Sequence, residues 1–293
     1  MAKFGIDVSK WQGSNFDFGR AKREDGVEFV VLRGAYSVYK DTQFENYYAK
    51  CKSLNLPVGV YHYSMATTVE QAKIEANFLY EKVLKNKQFE LPIYIDVEDK
   101  VQLALSKQLL TEIVKAWCEY LEAKKYFVGI YAGKYTFRGN LDDTQLKRYS
   151  HWIPMWGKEC TYDDKSILGM WQFGGETNLL RSNQIAGVVC DQNYMYFDFP
   201  TVIKSKKLNG FGTKVVTTEP SVPSSTTVKF KPGDKVKLTT NTKYSNGKSV
   251  PEWVKKCTLY VRSNEFSNGD YNVSLLKVGA ITGRVNKKYL NKA

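Results

Sequence analysis

PIYIDVED, Pro92 to Asp99, carries an apolar run into two carboxylates, Asp96 and Glu98, with Val97 between them. Proline at the start and Ile, Tyr, Ile and Val within it read as a buried strand rather than a helix. Strand side chains alternate faces, so Tyr94, Asp96 and Glu98 point the same way. Two strand positions separate the carboxylates by roughly 7 Å at Cβ. That distance suits paired acid work on a glycosidic bond. Two like charges buried side by side do not both ionise, so one keeps its proton near neutrality. The plainer reading is a strand whose last residues run into water, where acids cost nothing.

Seven further segments have strand character: KFGIDV at the start, EFVVLRGAY (28–36), PVGVYHYS (57–64), YFVGIYAG (126–133), SHWIPMW (150–156), GMWQF (169–173) and GVVCDQNYM (187–195). Helical patterns separate the first five. One lies around Phe16 to Arg23. Another has Asp41 or Thr42 as its cap and Phe44, Tyr47, Tyr48, Cys51 and Leu54 on one face. A third opens at Thr67/Thr68, and a fourth runs from about Ser106 to Lys125. Eight strands with helices between the first five predict an α/β fold, an irregular eight-stranded β/α barrel. Chemistry in such barrels gathers at the C-terminal strand ends. Those ends carry Asp7, Tyr61, Asp96, Glu98, Tyr131, Trp156, Gln172 and Asp191.

Hydrolysis of a glycosidic bond needs an acid for the leaving oxygen and a second group facing the charge that develops at the anomeric carbon. Glu98 is assigned the acid role, its proton held by repulsion from an ionised Asp96. Asp7 and Asp191 come from the first and last strands, which are neighbours in a closed barrel. Gly59-Val-Tyr61 and Gly129-Ile-Tyr131 repeat one design, a small residue inside the barrel and a phenol at its mouth. Such rings stack on sugars, so Tyr61 and Tyr131, with Trp156 from the sixth strand and Gln172 from the seventh, are the expected substrate-binding residues. Trp11 and Trp152 are assigned to packing, His62 to a helix-facing structural position, and Cys190 to a buried inert thiol.

Five scattered cysteines without a Cys-x-x-Cys pair, and only two histidines, argue against a disulfide framework or a metal site. Neither cysteine nor histidine surroundings resemble a peptidase dyad, and no phosphate-loop or dinucleotide turn is present. No cofactor is expected. No run approaches the ~20 apolar residues of a membrane span. The first residues lack a charged leader followed by an apolar core, so no signal peptide is expected.

Val215 to Thr227 is rich in Thr, Ser and Pro, as an extended linker is. Residues 228–293 hold 14 Lys/Arg against 4 Asp/Glu, a net of +10, and the rest of the chain only +3. Their short alternating runs, divided by Pro232-Gly233, Asn246-Gly247 and Asn268-Gly269, predict a small all-β barrel with an anionic target. The expected organisation is a catalytic domain at 1–209, a linker at 210–227 and a basic β domain at 228–293, its anionic target a nucleic acid or a cell wall.

FGIDVSKWQG, the run from Asp41 through LPVGVYHYS, YIDVED, FVGIYAG and VVCDQNYM resemble glycoside hydrolase family 25, the Chalaropsis-type lysozymes common among phage endolysins. The resemblance covers roughly residues 1–205. It implies an irregular α/β barrel and a muramidase cutting the β-1,4 bond between N-acetylmuramic acid and N-acetylglucosamine. It implies that Glu98 is the acid/base, that Asp96 supports the charged intermediate, and that Asp7 and Asp191 hold the arrangement. An enzyme nucleophile and assistance by the substrate's N-acetyl group both stay open. A chitinase would have aspartate where Tyr94 stands. The C-terminal segment resembles bacterial Src-homology-3-type wall-binding modules, with Arg284 where those often have Trp. The expected partners are peptidoglycan and anionic polymers of a Gram-positive wall, with no nucleic acid and no membrane. The expected location is the host cytoplasm until release to the wall. An autolysin, a wall binder that does not cut, and a nucleic-acid-binding tail are the competing readings.

Overall fold

The computed structural model describes residues 2–212, 230–239, 242–255, 257–266, 269–275 and 281–292. The chain divides into two compact units, Met1–Thr217 and Thr218–Ala293. The linker expected at 210–227 lies outside the described residues from 213 onward.

The first unit begins with β1 (Lys3–Val8), α1 (Phe18–Arg23), β2 (Phe29–Tyr36), the short β3 (Tyr39–Lys40), α2 (Phe44–Ser53), β4 (Val58–Tyr63) and α3 (Val69–Leu79). It continues with β5 (Ile93–Asp96), α4 (Lys100–Leu103), α5 (Lys107–Ala123), β6 (Val128–Tyr131), α6 (Lys134–Gly139), α7 (Asp143–Leu146) and β7 (Ser150–Pro154). The last part holds β8 (Leu168–Gly174), the hairpin β9 (Gln184–Ile185) and β10 (Val188–Val189), β11 (Asp191–Met195) and α8 (Phe199–Ser205). Eight of these strands close into a barrel in the order β1-β11-β8-β7-β6-β5-β4-β2, with β2 pairing back to β1 and β3 extending β2. The predicted α/β barrel is therefore present, with all eight expected strands in it.

Two expectations need correction. GVVCDQNYM is not one strand, because Val188–Val189 belongs to the small hairpin and only Asp191–Met195 to the barrel. Nor does Asp191 end a parallel strand. β11 runs antiparallel to both neighbours and Asp191 is its first residue. No helix lies between β8 and β11, so the chain turns back by a hairpin instead of crossing over, which forces antiparallel pairing. The reversal still puts Asp191 at the same rim, directly opposite Asp7 in register.

The period-two alternation of β5 splits two cores. Ile93 and Ile95 join the outer layer with Leu110, Ile113, Val114 and Trp117 of α5. Tyr94 turns inward among Phe29, Val31, Trp152 and Met170. α5 starts where Ser106 Oγ accepts the Leu109 N–H at 3.3 Å, and its buried residues recur every three or four positions. Asp41 does not cap α2 directly. Gln43 holds that position, and Asp41 accepts the Gln43 N–H at 2.8 Å while also binding Arg33. His62 faces the helices as expected. Trp117 Nε1 donates to its Nδ1 at 2.9 Å, which leaves Nε2–H to donate to the Ser37 carbonyl at 2.9 Å. Burial pushes its pKa down, so the ring is a neutral structural bridge.

The second unit holds the antiparallel sheet β15-β14-β13-β12-β16, with β12 at Lys235–Leu238, β13 at Leu259–Val261, β14 at Asp270–Ser274, β15 at Gly283–Asn286 and β16 at Leu290–Lys292. Val236, Leu259, Val261, Tyr271, Val273 and Val285 form its core. Gly233 and Gly247 turn with positive φ, as their Pro-Gly and Asn-Gly pairs predict. The turn expected at Asn268-Gly269 falls partly outside the described residues, because Asn268 is not among them. One turn of helix, α9 (Glu252–Lys255), interrupts what the sequence predicts to be all strand.

Gly129 is required by close approach. A Cβ there would stand 2.4 Å from Tyr94 Cε1 and 2.8 Å from the Ser150 carbonyl oxygen. We expect Gly129→Ala to destabilise the barrel by about 1–3 kcal/mol through overpacking. Gly139→Ala, which meets nothing within 4 Å, serves as the control. Thermal melts check this: an unchanged midpoint for Gly129→Ala contradicts the packing described.

Candidate active site

β5 ends its ladder at Asp96, and the chain continues through buried Val97 to exposed Glu98. Both carboxylates open onto one cavity of about 290 Å³ at the barrel rim. Asp7 from β1 and Asp191 from β11 line the same cavity, as do Tyr61, Tyr131 and Gln172. Seven of the eight site residues expected from sequence are thus brought together. Trp156 is not among the lining residues. It is half exposed at the edge, where Gly175 lies between its indole and Asp191.

The buried polar side chains around Asp7 form one directed network. Tyr131 OH and Trp156 Nε1 donate to Gln172 Oε1 at 3.1 and 3.2 Å. That fixes the amide, so Gln172 Nε2 donates to Asp7 Oδ2 at 3.0 Å. Trp152 Nε1 likewise donates to Asn193 Oδ1 at 2.8 Å, and Asn193 Nδ2 donates to the same Asp7 Oδ2 at 2.8 Å. Two oriented amides favour the charged form of Asp7. Burial opposes them and wins, and the pKa rises to about 6.

Among the described residues the other carboxyls lack such donors, and each is raised as well. Burial, then Asp7, then Glu98 push Asp191 up to about 8. Asp96 is 4% exposed, and its Oδ1 has no hydrogen-bond partner among the described residues. Burial raises its pKa well above the usual carboxylate range, with further pushes from Glu98 and Asp7 and an opposing pull from Arg33. Glu98 is raised by burial, then by Asp7 and Asp99. The sequence expectation of an ionised Asp96 holding the proton on Glu98 is therefore corrected. Asp96 is the deeper group and its own pKa is pushed well up by burial, while the raised pKa of Glu98 comes from desolvation and Asp7.

Arg33 is the one cation among the described residues lining the cavity. Its guanidinium is already committed to Asp41, with Nη2 at 2.7 Å and Nε at 2.8 Å from Oδ2. Sequence reasoning passed over Arg33 as a site residue. It also missed Asn193, although a position two after Asp191 on one strand shares its face. Trp11 is corrected from packing to surface. It is 75% exposed on the cavity edge, in a single-turn helix (Lys10–Gln12) that buries nothing. Ser9 and Gln12 close that turn: Trp11 N–H donates to Ser9 Oγ and Ser9 N–H to Gln12 Oε1. Trp152 does pack, edge-on to Tyr61, Tyr94 and Tyr131.

An α/β barrel with a reversed last strand and four carboxyls around one rim cavity defines the class of protein. The family follows from sequence: a profile of the glycosyl hydrolases family 25 matches residues 6–180, and the chain belongs to that family. It is 30% identical over 166 residues to the autolytic lysozyme of Clostridium acetobutylicum, covering 56% of this chain and 48% of that protein. The barrel resembles the modular autolysin LytC from Streptococcus pneumoniae, solved with a synthetic peptidoglycan ligand, at TM-score 0.59 and 22% identity over 67% of this chain and 47% of that one. It resembles the CTP1L endolysin at TM-score 0.58 and 22% identity, covering 70% and 69% of the two chains. It also resembles the bacterial lysozyme of Streptomyces coelicolor at TM-score 0.57 and 18% identity, covering 72% and 99%. The chain spans about half the length of the Clostridium lysozyme and of the Streptococcus autolysin.

The raised carboxyls set a pH dependence of stability. Above the ordinary value of 3.8, Asp191 ionises in the unfolded chain while the folded protein keeps the proton until about 8. The folded state then binds more protons, so stability falls as pH rises through that window. Asp191→Asn removes the effect. We expect equal melting temperatures for the two proteins at pH ~4 and a higher one for the variant at pH ~8. Calorimetry checks this, and a difference that does not change with pH contradicts it.

Proposed function

We propose that the barrel is a muramidase that hydrolyses the β-1,4 bond between N-acetylmuramic acid and N-acetylglucosamine in peptidoglycan, with Glu98 as general acid and base. The observation that carries this reading is the convergence of Asp96 and Glu98, with Asp7 and Asp191, on one open cavity rimmed by aromatic rings. Glu98 is the exposed member of the pair, so it is the one that reaches a leaving oxygen. Its pKa is raised by desolvation, Asp7 and Asp99, the direction a general acid needs.

The reacting form has Glu98 protonated and Asp96 ionised. The pair shares its protons, so the two titrate together and this form is one of its microstates. A positive charge growing at the anomeric carbon favours an ionised Asp96, because the same burial that penalises a lone carboxylate strengthens its attraction to a cation. Glu98 gives its proton to the glycosidic oxygen as the bond breaks. Water then adds hydroxide to the anomeric carbon, and its other proton returns to Glu98. Asp7, held by Gln172 and Asn193, adds negative potential beside the reacting carbon. Tyr61 and Tyr131 offer ring faces and hydroxyls to the sugar, and Trp11 extends this surface outward.

The C-terminal unit is proposed to hold the enzyme on anionic polymers of a Gram-positive wall, a reading supported by the net charge of +10 on residues 228–293. The same chemistry serves an endolysin and an autolysin alike.

Glu98→Gln keeps the shape and removes the transferable proton. We expect wall-clearing activity to drop about 10²–10⁴-fold with the fold retained by circular dichroism. Mass spectrometry of fragments released by the unsubstituted protein is expected to show reducing ends at muramic acid. Ends at glucosamine, freed peptides, or full activity of the variant contradict the assignment.

A further inference from the structure

At the end of the barrel away from the carboxylates, three helical segments stop around a second cavity, of about 500 Å³. The turn Tyr80–Leu84 that follows α3 ends at Lys85, α5 ends at Lys124 and Lys125, and α8 ends at Lys206 and Lys207. These five lysines line the cavity above Tyr80 and Tyr126, whose rings meet edge-on at 6.1 Å. Lys85 and Lys125 lie on the approaches to β5 and β6, which places the cavity at the N-terminal strand ends. Asn209 ties its floor together, accepting the Phe127 N–H on Oδ1 at 2.6 Å and donating from Nδ2 to the Leu91 carbonyl at 2.8 Å.

Lysine at a helix C-terminus has an ordinary explanation, since each helix end carries about half a negative charge. Three ends supply about 1.5 charges, and Glu81 pairs with Lys85 at 2.9 Å. Against these stand five ammoniums. Among the described residues, Lys124, Lys125, Lys206 and Lys207 have no carboxylate within ion-pair distance, and all four are exposed. Lys124 Nζ rests 5.1 Å from the Tyr80 ring centroid, an arrangement that leaves its charge available at the rim. The cavity keeps an excess of positive charge above an aromatic floor.

We propose that this cavity is an anion site on the barrel itself, taking a polyol-phosphate chain of the cell wall. Ammonium groups act as point-charge partners for phosphate, and the Tyr80 ring holds two of them at the cavity edge, Lys85 Nζ at 5.8 Å and Lys124 Nζ at 5.1 Å from its centroid. A concave site of this size accepts a flexible chain segment, not a rigid duplex. Part of the attraction to the wall then resides in the catalytic barrel, at the end opposite its cleft, and not in the basic C-terminal unit alone. The inference rests on the wall being the target of the enzyme.

The test uses the full chain and the triple substitution Lys124→Gln, Lys206→Gln, Lys207→Gln. Binding of synthetic poly(glycerol phosphate) is followed by calorimetry, and retention on Gram-positive walls before and after hydrofluoric acid removes phosphodiester polymers. We expect the triple variant to bind the polymer more weakly, with the slope of log K against log salt flatter by about 2, three ammoniums at ~0.7 each. On untreated walls its retention falls below that of the unsubstituted protein, and on stripped walls the two are equal. Equal binding of poly(glycerol phosphate) by both proteins overturns the site. So does displacement of the polymer by duplex DNA at matched charge, which identifies a general polyelectrolyte patch. Turnover of a soluble glycan is read separately: it stays unchanged in the variant, and its absence from both proteins is a failure of the muramidase reading, not of the anion site.

Discussion

Among the described residues, four carboxyl groups share one cavity with a single guanidinium, and that guanidinium is already held by Asp41. This imbalance is the constraint on which the site depends. Ionising all four would place uncompensated charge in a poorly solvated space, so the protein answers by keeping protons. The gradation follows the donors each group receives. Asp7, with two amide N–H groups, rises to about 6, and Asp191, which has no such donors among the described residues, reaches about 8. Asp96, deepest and with one oxygen unpartnered, is raised well beyond the ordinary range. A protein selected only for stability would have neutral residues in these places. The cost is borne where chemistry needs a proton to move.

The barrel's topology assembles this cluster. Parallel strands bring Asp96 to the rim at the end of β5, and closure by β1 brings Asp7 beside it. The reversed β11 then sets Asp191 against Asp7 in register. Gly175 permits the contact, since a Cβ there would stand 2.0 Å from Asp191 Oδ1. Trp152 and Tyr131 belong to the inner core and also orient the amides that hold Asp7. Packing and electrostatics are therefore one arrangement here. Loosening the inner aromatic layer would release the amides and with them the charge state of Asp7.

Much of this was legible in the sequence, for reasons that can be named. Alternation along Pro92–Asp99 put Tyr94, Asp96 and Glu98 on one face because strand geometry leaves no other choice. The paired Gly-x-Tyr patterns marked a narrow interior with phenols above it, and Gly129 does lie against Tyr94. The direction of the last strand was not legible, since a strand's residues carry no mark of polarity and only the missing crossover helix hinted at it. Trp11 was misplaced because a large aromatic in a tight, Gly-terminated turn shows no period from which to read exposure. The order of protonation was also beyond reach. Sequence shows that two acids are neighbours, but relative depth in the cavity, which decides between Asp96 and Glu98, belongs to the closed barrel.

The central claim is that partial desolvation at the cavity mouth, reinforced by the charge of Asp7, raises the pKa of Glu98 in the unliganded enzyme. Carboxyl-carbon NMR of Glu98 across a pH titration, in the unsubstituted protein and in Asp7→Asn, measures it directly. The account predicts a midpoint clearly above the ordinary 4.5 that moves down when Asp7 loses its charge. A Glu98 that titrates at its ordinary value in both proteins contradicts it.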